Sequence, residues 1–176
     1  MTEITFLGRG GQGAFTSSRI LGAAASLFEN KHALSFPSFG PERRGAPVFA
    51  YTKIDDYPIR NRSQSELSDY IVVLDESLYS ESLHSKLKPD GKIILNTPGQ
   101  RENQNVVCFD ANKIAEQYLG APISNTAMLT VFAAKTHIVS KVSLLAAIDY
   151  DMPKRIALKN RSLVEYIFES SEGANI

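Results

Sequence analysis

Between a short apolar run at the amino terminus and a helix-like stretch of small residues, the chain carries Gly8-Arg9-Gly10-Gly11-Gln12-Gly13. The run Ile4-Thr5-Phe6-Leu7 is β-prone and alternating, whereas Ala14 to Phe28 spaces its Ala, Leu and Ile residues as a helix with one buried face. A strand must therefore turn sharply into a helix within a few residues. Glycines lack the Cβ that blocks left-handed dihedrals and close approach, so successive N–H groups there can converge on an anion at the helix's positive end. Arg9 can add a charge-assisted contact.

The spacing also satisfies G-x-G-x-x-G, the fingerprint of dinucleotide sites, but the other half of that fingerprint is missing. Such a site needs an acidic residue at the end of the next strand, roughly 20 residues on, to hold the ribose hydroxyls. Here the next strand-like run, Ala33-Leu34-Ser35-Phe36, ends in Pro37, and Glu29 precedes it. No Gly-Lys-Ser/Thr follows the glycines, so a Walker phosphate loop is unsupported as well. The plain structural alternative, that the glycines only let helix and strand pack closely, stays open at this stage.

With 176 residues, 43% of them hydrophobic, there is material for one sizeable core, and residues 1–176 read as one domain with a frayed tail over 170–176. A formal net charge of zero gives no general pull toward nucleic acid or phospholipid. No apolar run is long enough to cross a bilayer and the amino terminus lacks the stages of a secretory signal, which points to the cytoplasm. The one cysteine, Cys108, cannot hold an iron-sulfur cluster by itself and reads as a buried thiol in Val106-Val107-Cys108-Phe109. His32, His84 and His137 fall in no metal-ligand spacing, so neither a metal site nor a catalytic dyad is expected.

Alternation of elements gives the fold class: α/β, a mainly parallel sheet covered by helices, with a Rossmann-like first strand-turn-helix and a helical carboxyl-terminal flank. Strands are expected at Ala33–Phe36, Val48–Ile54, Tyr70–Asp75, Gly91–Asn96 and Val106–Phe109. A helix is expected over Ser77–Leu87, with Pro89-Asp90-Gly91 turning into the strand that follows. Further helices follow at Lys113–Leu119, Asn125–Ile138, Val142–Tyr150 and Arg155–Ser170. The unbroken apolar run from Tyr70 to Leu74 suits a central strand, at whose end Asp75 and Glu76 face a ligand or partner crevice, or else Asp75, Glu76 or Ser77 caps the next helix.

A second unusual segment, Ser35 to Pro47, holds three prolines and two glycines around Glu42-Arg43-Arg44. Proline stiffens such a loop at several points while Gly40 and Gly45 permit the turns. Arg43 and Arg44 offer a cationic fork for carboxylate or phosphate. With Arg9, and with Arg60 and Arg62 further on, they suggest either a positive pocket at one edge of the sheet or separate surface ion pairs.

The two loops, in this order and spacing, resemble the gamma subunit or gamma domain of the 2-oxoacid:acceptor oxidoreductases. The resemblance rests on Gly8 to Gly13, on Phe36-Pro37-Ser38-Phe39-Gly40-Pro41-Glu42-Arg43-Arg44-Gly45-Ala46-Pro47, on Pro58-Ile59-Arg60, on Asp69-Tyr70 to Asp75 and on Asn125-Thr126, and covers nearly the whole chain. It implies a subunit of a complex that decarboxylates a 2-oxoacid, transfers the acyl group to coenzyme A and reduces ferredoxin or flavodoxin. Thiamine diphosphate, magnesium and [4Fe-4S] clusters would sit on or with alpha, beta and delta-type sister subunits, and the isolated chain would be inactive. Within the family the Phe39 to Pro47 stretch resembles the pyruvate and branched-chain types, with pyruvate expected first and indolepyruvate open. Gly8, Arg9, Gly10, Gly11, Gln12, Gly13, Arg43 and Arg44 would then shape a surface that either contacts coenzyme A or docks a sister subunit. A stand-alone nucleotide- or phosphate-binding module and a ligand-free scaffold subunit are the alternatives, and homodimerisation is left open.

Overall fold

A computed structural model describes residues 1–38 and 45–173. In chain order the elements are β1 (Thr2–Arg9), α1 (Ala14–Phe28), β2 (His32–Pro37), β3 (Pro47–Asp55), β4 (Ser68–Val73), β5 (Leu87–Asn96), β6 (Val106–Phe109), α2 (Ala111–Leu119), α3 (Asn125–Thr136), α4 (Lys141–Asp151) and α5 (Lys154–Gly173). The six strands form one sheet in the order β2-β3-β1-β4-β5-β6. Strands β1, β4, β5 and β6 pair in parallel, as their apolar character requires. β3 runs antiparallel to both β1 and β2. The strand that follows α1 is thus not the neighbour of β1. The strand after α1, on which a dinucleotide site would carry its ribose-binding acid, is separated from β1 by the antiparallel β3.

All five helices pack toward one face of the sheet. Ile4, Phe6, Ala50, Ile54, Val72 and Ile94 meet Ile20, Leu21, Met128, Phe132 and Leu163 in the main core. Phe132 sits edge-on to both Phe6 and Tyr70, with ring centroids 6.4 Å and 5.3 Å away. From Asn125 to Ala134 every residue of α3 is buried, because α3 lies between the sheet and α5. α1 approaches β2 so closely that a Cβ on Gly22 would stand 2.3 Å from Ser35 Oγ. Ser18 fixes this approach: its hydroxyl donates to the Tyr51 carbonyl at 2.8 Å, and its own carbonyl accepts from Ser35 and Thr52.

The opposite face is covered without α-helices. Leu7, Ile71, Val73, Ile93, Leu95, Val106 and Cys108 meet Leu83 from a short 3-10 segment, Glu81–Lys86, which follows another at Glu76–Leu78. The α-helix expected over Ser77–Leu87 does not form. Ser77, Ser80, Ser82 and Ser85 bond to neighbouring side chains and carbonyls instead, and of the residues in the two 3-10 segments only Leu83 is buried, so no helical face anchors the segment. The expected turn at Pro89-Asp90-Gly91 lies inside β5, where Asp90 takes a φ of 67° and the pairing with β4 shifts register between Ser68 and Tyr70.

At the amino-terminal end of β1 a charge network joins four elements. The ammonium of Lys53, a fully buried residue, stands 3.2 Å from the Glu3 carboxylate without the alignment of a hydrogen bond. Lys88 bridges Glu3 at 3.0 Å and Asp69 at 2.8 Å, and Asp69 accepts the Glu3 backbone N–H at 2.7 Å. Burial pushes the Glu3 carboxyl up, but hydrogen bonds from Lys88 and Ser65 and the nearby Lys53 ammonium outweigh burial and hold it below the ordinary glutamate value. A depressed folded value means stability that is present above the unfolded value and lost as pH falls through the folded one. Replacing Glu3 with Gln strands a buried ammonium and should cost about 3 kcal/mol in chemical denaturation at neutral pH, whereas Lys53→Met, which removes the buried charge, should cost less than half of that. Equal losses in the two variants would contradict this reading of the network.

Candidate functional site

The carboxyl ends of β1, β4 and β5 open into a cleft of about 410 Å³ lined by Gly11, Gln12, Asp75, Glu76, Asn96 and Ser124 among others. Its glycine wall is built by three local bonds. Gln12 N–H donates to the Arg9 carbonyl at 2.9 Å, Arg9 N–H donates to Gln12 Oε1 at 2.6 Å, and Gly10 N–H donates to the Ala46 carbonyl at 2.9 Å. Gly11 and Gly13 take φ of 94° and 82°, the left-handed region that other residues resist. Gly13 also serves as the amino-terminal cap of α1 without any side-chain cap, and the first turn of α1 holds no acidic residue. Among the described residues the N–H groups of Gly11 and Gly13 meet no acceptor. These features leave the positive end of a 15-residue helix bordering the cleft.

A second helix amino terminus is brought to the same place. Asn96, 3% exposed at the end of β5, donates from Nδ2 to the Leu74 carbonyl at 2.9 Å, to Asn112 Oδ1 at 3.0 Å and to Ser124 Oγ at 3.1 Å, and its Oδ1 accepts Ala111 N–H. Ser124 caps α3, whose first turn also lacks an acidic residue. Asn125 packs so tightly on the glycine turn that a Cβ on Gly13 would lie 2.6 Å from its Nδ2, and Ser17 Oγ donates to its carbonyl at 3.2 Å. The amino termini of α1 and α3 thus converge, and the field they share favours an anion.

Asp75 ties this arrangement to β4. Its carboxylate accepts from Gln12 Nε2 at 2.8 Å, pairs with Arg9 Nε at 3.3 Å, and accepts Ser77 N–H and Oγ–H. Burial raises the Asp75 carboxyl, but the bonds from Ser77 and Gln12 and the Arg9 charge together bring it below the ordinary aspartate value. The two sequence readings of Asp75 both hold, since it lines the cleft and caps the first 3-10 turn. Glu76 is held by Arg101, 2.5 Å away, so each carboxylate in the lining already has its own arginine. Arg9 is also committed: it donates to the Gly45 carbonyl at 3.0 Å and to Ser77 Oγ at 2.8 Å.

Of the residues singled out in the sequence, Gly8 to Gly13 are brought together here, with Gly8 lying against Leu74. Arg43 and Arg44 lie outside the described residues, though Ser38 and Gly45 on either side are anchored at this same end of the sheet. Arg60 and Arg62 do not join the site. Arg9 pairs with Pro47 at the start of β3, whereas Arg60 and Arg62 follow its end, which pairs with Thr2. Neither lines the cleft. Asn96 was not foreseen; its only trace in the sequence is a polar residue closing an apolar strand. Cys108 is buried on the face without α-helices, where burial disfavours the thiolate and lifts the thiol above its ordinary value against the opposing pull of the Arg101 charge. Among the described residues no His, Cys, Asp and Glu cluster could hold a metal ion, and no helix is long and apolar enough to cross a membrane.

Residues 3–170 match the pyruvate ferredoxin/flavodoxin oxidoreductase family. The chain belongs to that family. It is 47% identical over 172 residues to pyruvate synthase subunit PorC of Methanothermobacter marburgensis, covering 96% of this chain and 97% of that one. It is 41% identical to the common gamma subunit of the pyruvate/ketoisovalerate oxidoreductases of Pyrococcus abyssi, covering 98% of each. Among solved structures, pyruvate oxidoreductase subunit PORC of Thermotoga maritima superposes with a TM-score of 0.82 at 31% identity, covering 96% of this chain and 95% of that one. The family assignment agrees with the resemblance carried by the two loops, and the fold agrees with the expected α/β class.

The two glycines that border the cleft should respond differently to substitution. Gly13→Ala meets both a left-handed φ and the Asn125 side chain, and should lower stability by about 2 kcal/mol or more. Gly11→Ala meets only the backbone strain, with nothing within 4 Å of the added carbon, and should cost about 1 kcal/mol. Urea denaturation of both variants checks the order.

Proposed function

We propose that this chain is the gamma subunit of a pyruvate-type 2-oxoacid:ferredoxin or flavodoxin oxidoreductase and that its glycine turn receives the phosphates of coenzyme A. The observation that carries the subunit reading is near-complete alignment with proteins named as subunits of such enzymes, at up to 47% identity. The observation behind the ligand reading is the convergence of two helix amino termini, neither with an acid in its first turn, at a turn whose Gly11 and Gly13 N–H groups meet no acceptor among the described residues.

Coenzyme A fits this wall in charge and in access. Gly11 presents open space where a side chain would obstruct a phosphate, and the lining carboxylates are already neutralised. Arg9 and Gln12 act as struts of the turn, so the backbone supplies the contacts. Arg43 and Arg44 are the side chains proposed to add charge. When bound by the complex, coenzyme A accepts the acyl group; thiamine diphosphate and iron-sulfur clusters belong in this reading to the alpha, beta and delta-type subunits. The chain's own work is to bind and orient the phosphate end while the reacting centre lies elsewhere. The committed state of Arg9, Gln12 and Asp75 favours one further reading, in which the same rigid turn docks a sister subunit.

The discriminating measurement uses the assembled enzyme. Gly11→Ala and the pair Arg43→Ala/Arg44→Ala should raise the apparent KM for coenzyme A about tenfold, a loss near 1.4 kcal/mol, with kcat and pyruvate KM unchanged. An unchanged coenzyme A KM with weakened assembly would replace ligand contact by docking. Unchanged KM and unchanged assembly would overturn both.

A further inference from the structure

A separate groove of about 700 Å³ lies between α1, the start of α3 and the α4–α5 junction. We propose that it receives an acidic amphipathic helix from another subunit of the complex; the inference rests on the subunit reading above. Leu119, Ile123, Met152, Pro153 and Ile156 supply an apolar lining, yet Ile123 and Ile156 are 57% and 50% exposed. Apolar side chains left in water along a half-open groove suit a helix that sets residues at i, i+3, i+4 and i+7 into it.

Charge decides the chemistry of the occupant. The groove holds the amino-terminal ends of α3 and α5, and neither first turn contains an acidic residue. Arg155 and Lys159 stand in its wall with no anionic partner among the described residues. The carboxylate there, Asp151, is already held by Arg19 at 2.7 Å. Two helix dipoles and two cations without an anionic partner among the described residues, beside an apolar strip, call for aspartate or glutamate flanking an apolar face. Asn160 adds an independent sign of incompleteness. It is 4% exposed, its Nδ2 is bound to the Ile156 carbonyl at 2.9 Å, and its Oδ1 lacks a donor among the described residues.

The test places the photo-crosslinking residue p-benzoylphenylalanine at Ile156 in the full chain, with Val142 on the outer face of α4, 74% exposed, as the control position. The tagged complex is purified anaerobically, irradiated and mapped by mass spectrometry. The expected result is a crosslink from position 156, and none from 142, to a sister-chain segment carrying acidic residues at helical spacing. The yield should fall at least tenfold in Arg155→Glu/Lys159→Glu, and also in the milder Arg155→Gln/Lys159→Gln, with thermal melting unchanged in at least one of the pairs. Absence of a crosslink in an intact complex, a crosslink to a second copy of this chain or to a segment without acids, or full yield in both charge variants would overturn the groove assignment alone. A chain purified without any companion would overturn the subunit reading and the groove together.

Discussion

The Asp75 carboxylate is the tie on which the candidate site depends. It gathers Gln12, Arg9 and Ser77 onto the end of β4 and so fixes a turn whose glycines would otherwise sample many conformations. The neighbouring backbone bond from Leu74 N–H to the Leu7 carbonyl, 2.8 Å, extends the β1–β4 pairing up to that tie. Asn96 acts in the same way one strand further on, holding the Leu74 carbonyl, Asn112 and Ser124 from a single amide. Together these two side chains let the positive ends of α1 and α3 meet while their own polar atoms remain satisfied.

The sheet divides its labour between its two ends. At the carboxyl ends of the parallel strands, the Gly11 and Gly13 N–H groups meet no acceptor among the described residues and stand beside paired carboxylates. At the other end, Glu3, Asp69, Lys88 and Lys53 neutralise one another. Helices on one face and serine-rich 3-10 turns on the other complete the enclosure. The asymmetry follows from composition: α3 is largely apolar and buried on all sides from Asn125 to Ala134, whereas Glu76–Lys86 buries Leu83 and only packs Leu78 and Tyr79 partly against the sheet.

Features set by local chemistry were legible in the sequence. The glycine turn, α1, the parallel strands and all four carboxyl-terminal helices fell within a few residues of their observed bounds, because periodicity and capping residues act over short distances. Features set by pairing were not. No local signal announces that β3 inserts between β2 and β1, and neither Arg60 nor Arg62 lines the cleft that the glycine turn borders. The network around Lys53 draws on β1, β3, β4 and β5, and Asn96 gains its role only when the start of α3 folds back over β5. The helix expected over Ser77–Leu87 shows the converse, a plausible local pattern overridden by serine side chains that satisfy the backbone in another way.

The central claim is that this chain works as one subunit of a 2-oxoacid oxidoreductase. The most direct measurement is anaerobic purification of the tagged chain from its host, with assay of the eluate for pyruvate- and coenzyme-A-dependent reduction of a viologen dye. Activity should co-elute with companion chains binding thiamine diphosphate and iron-sulfur clusters. An inactive chain eluting alone, from an extract that itself carries the activity, would contradict it.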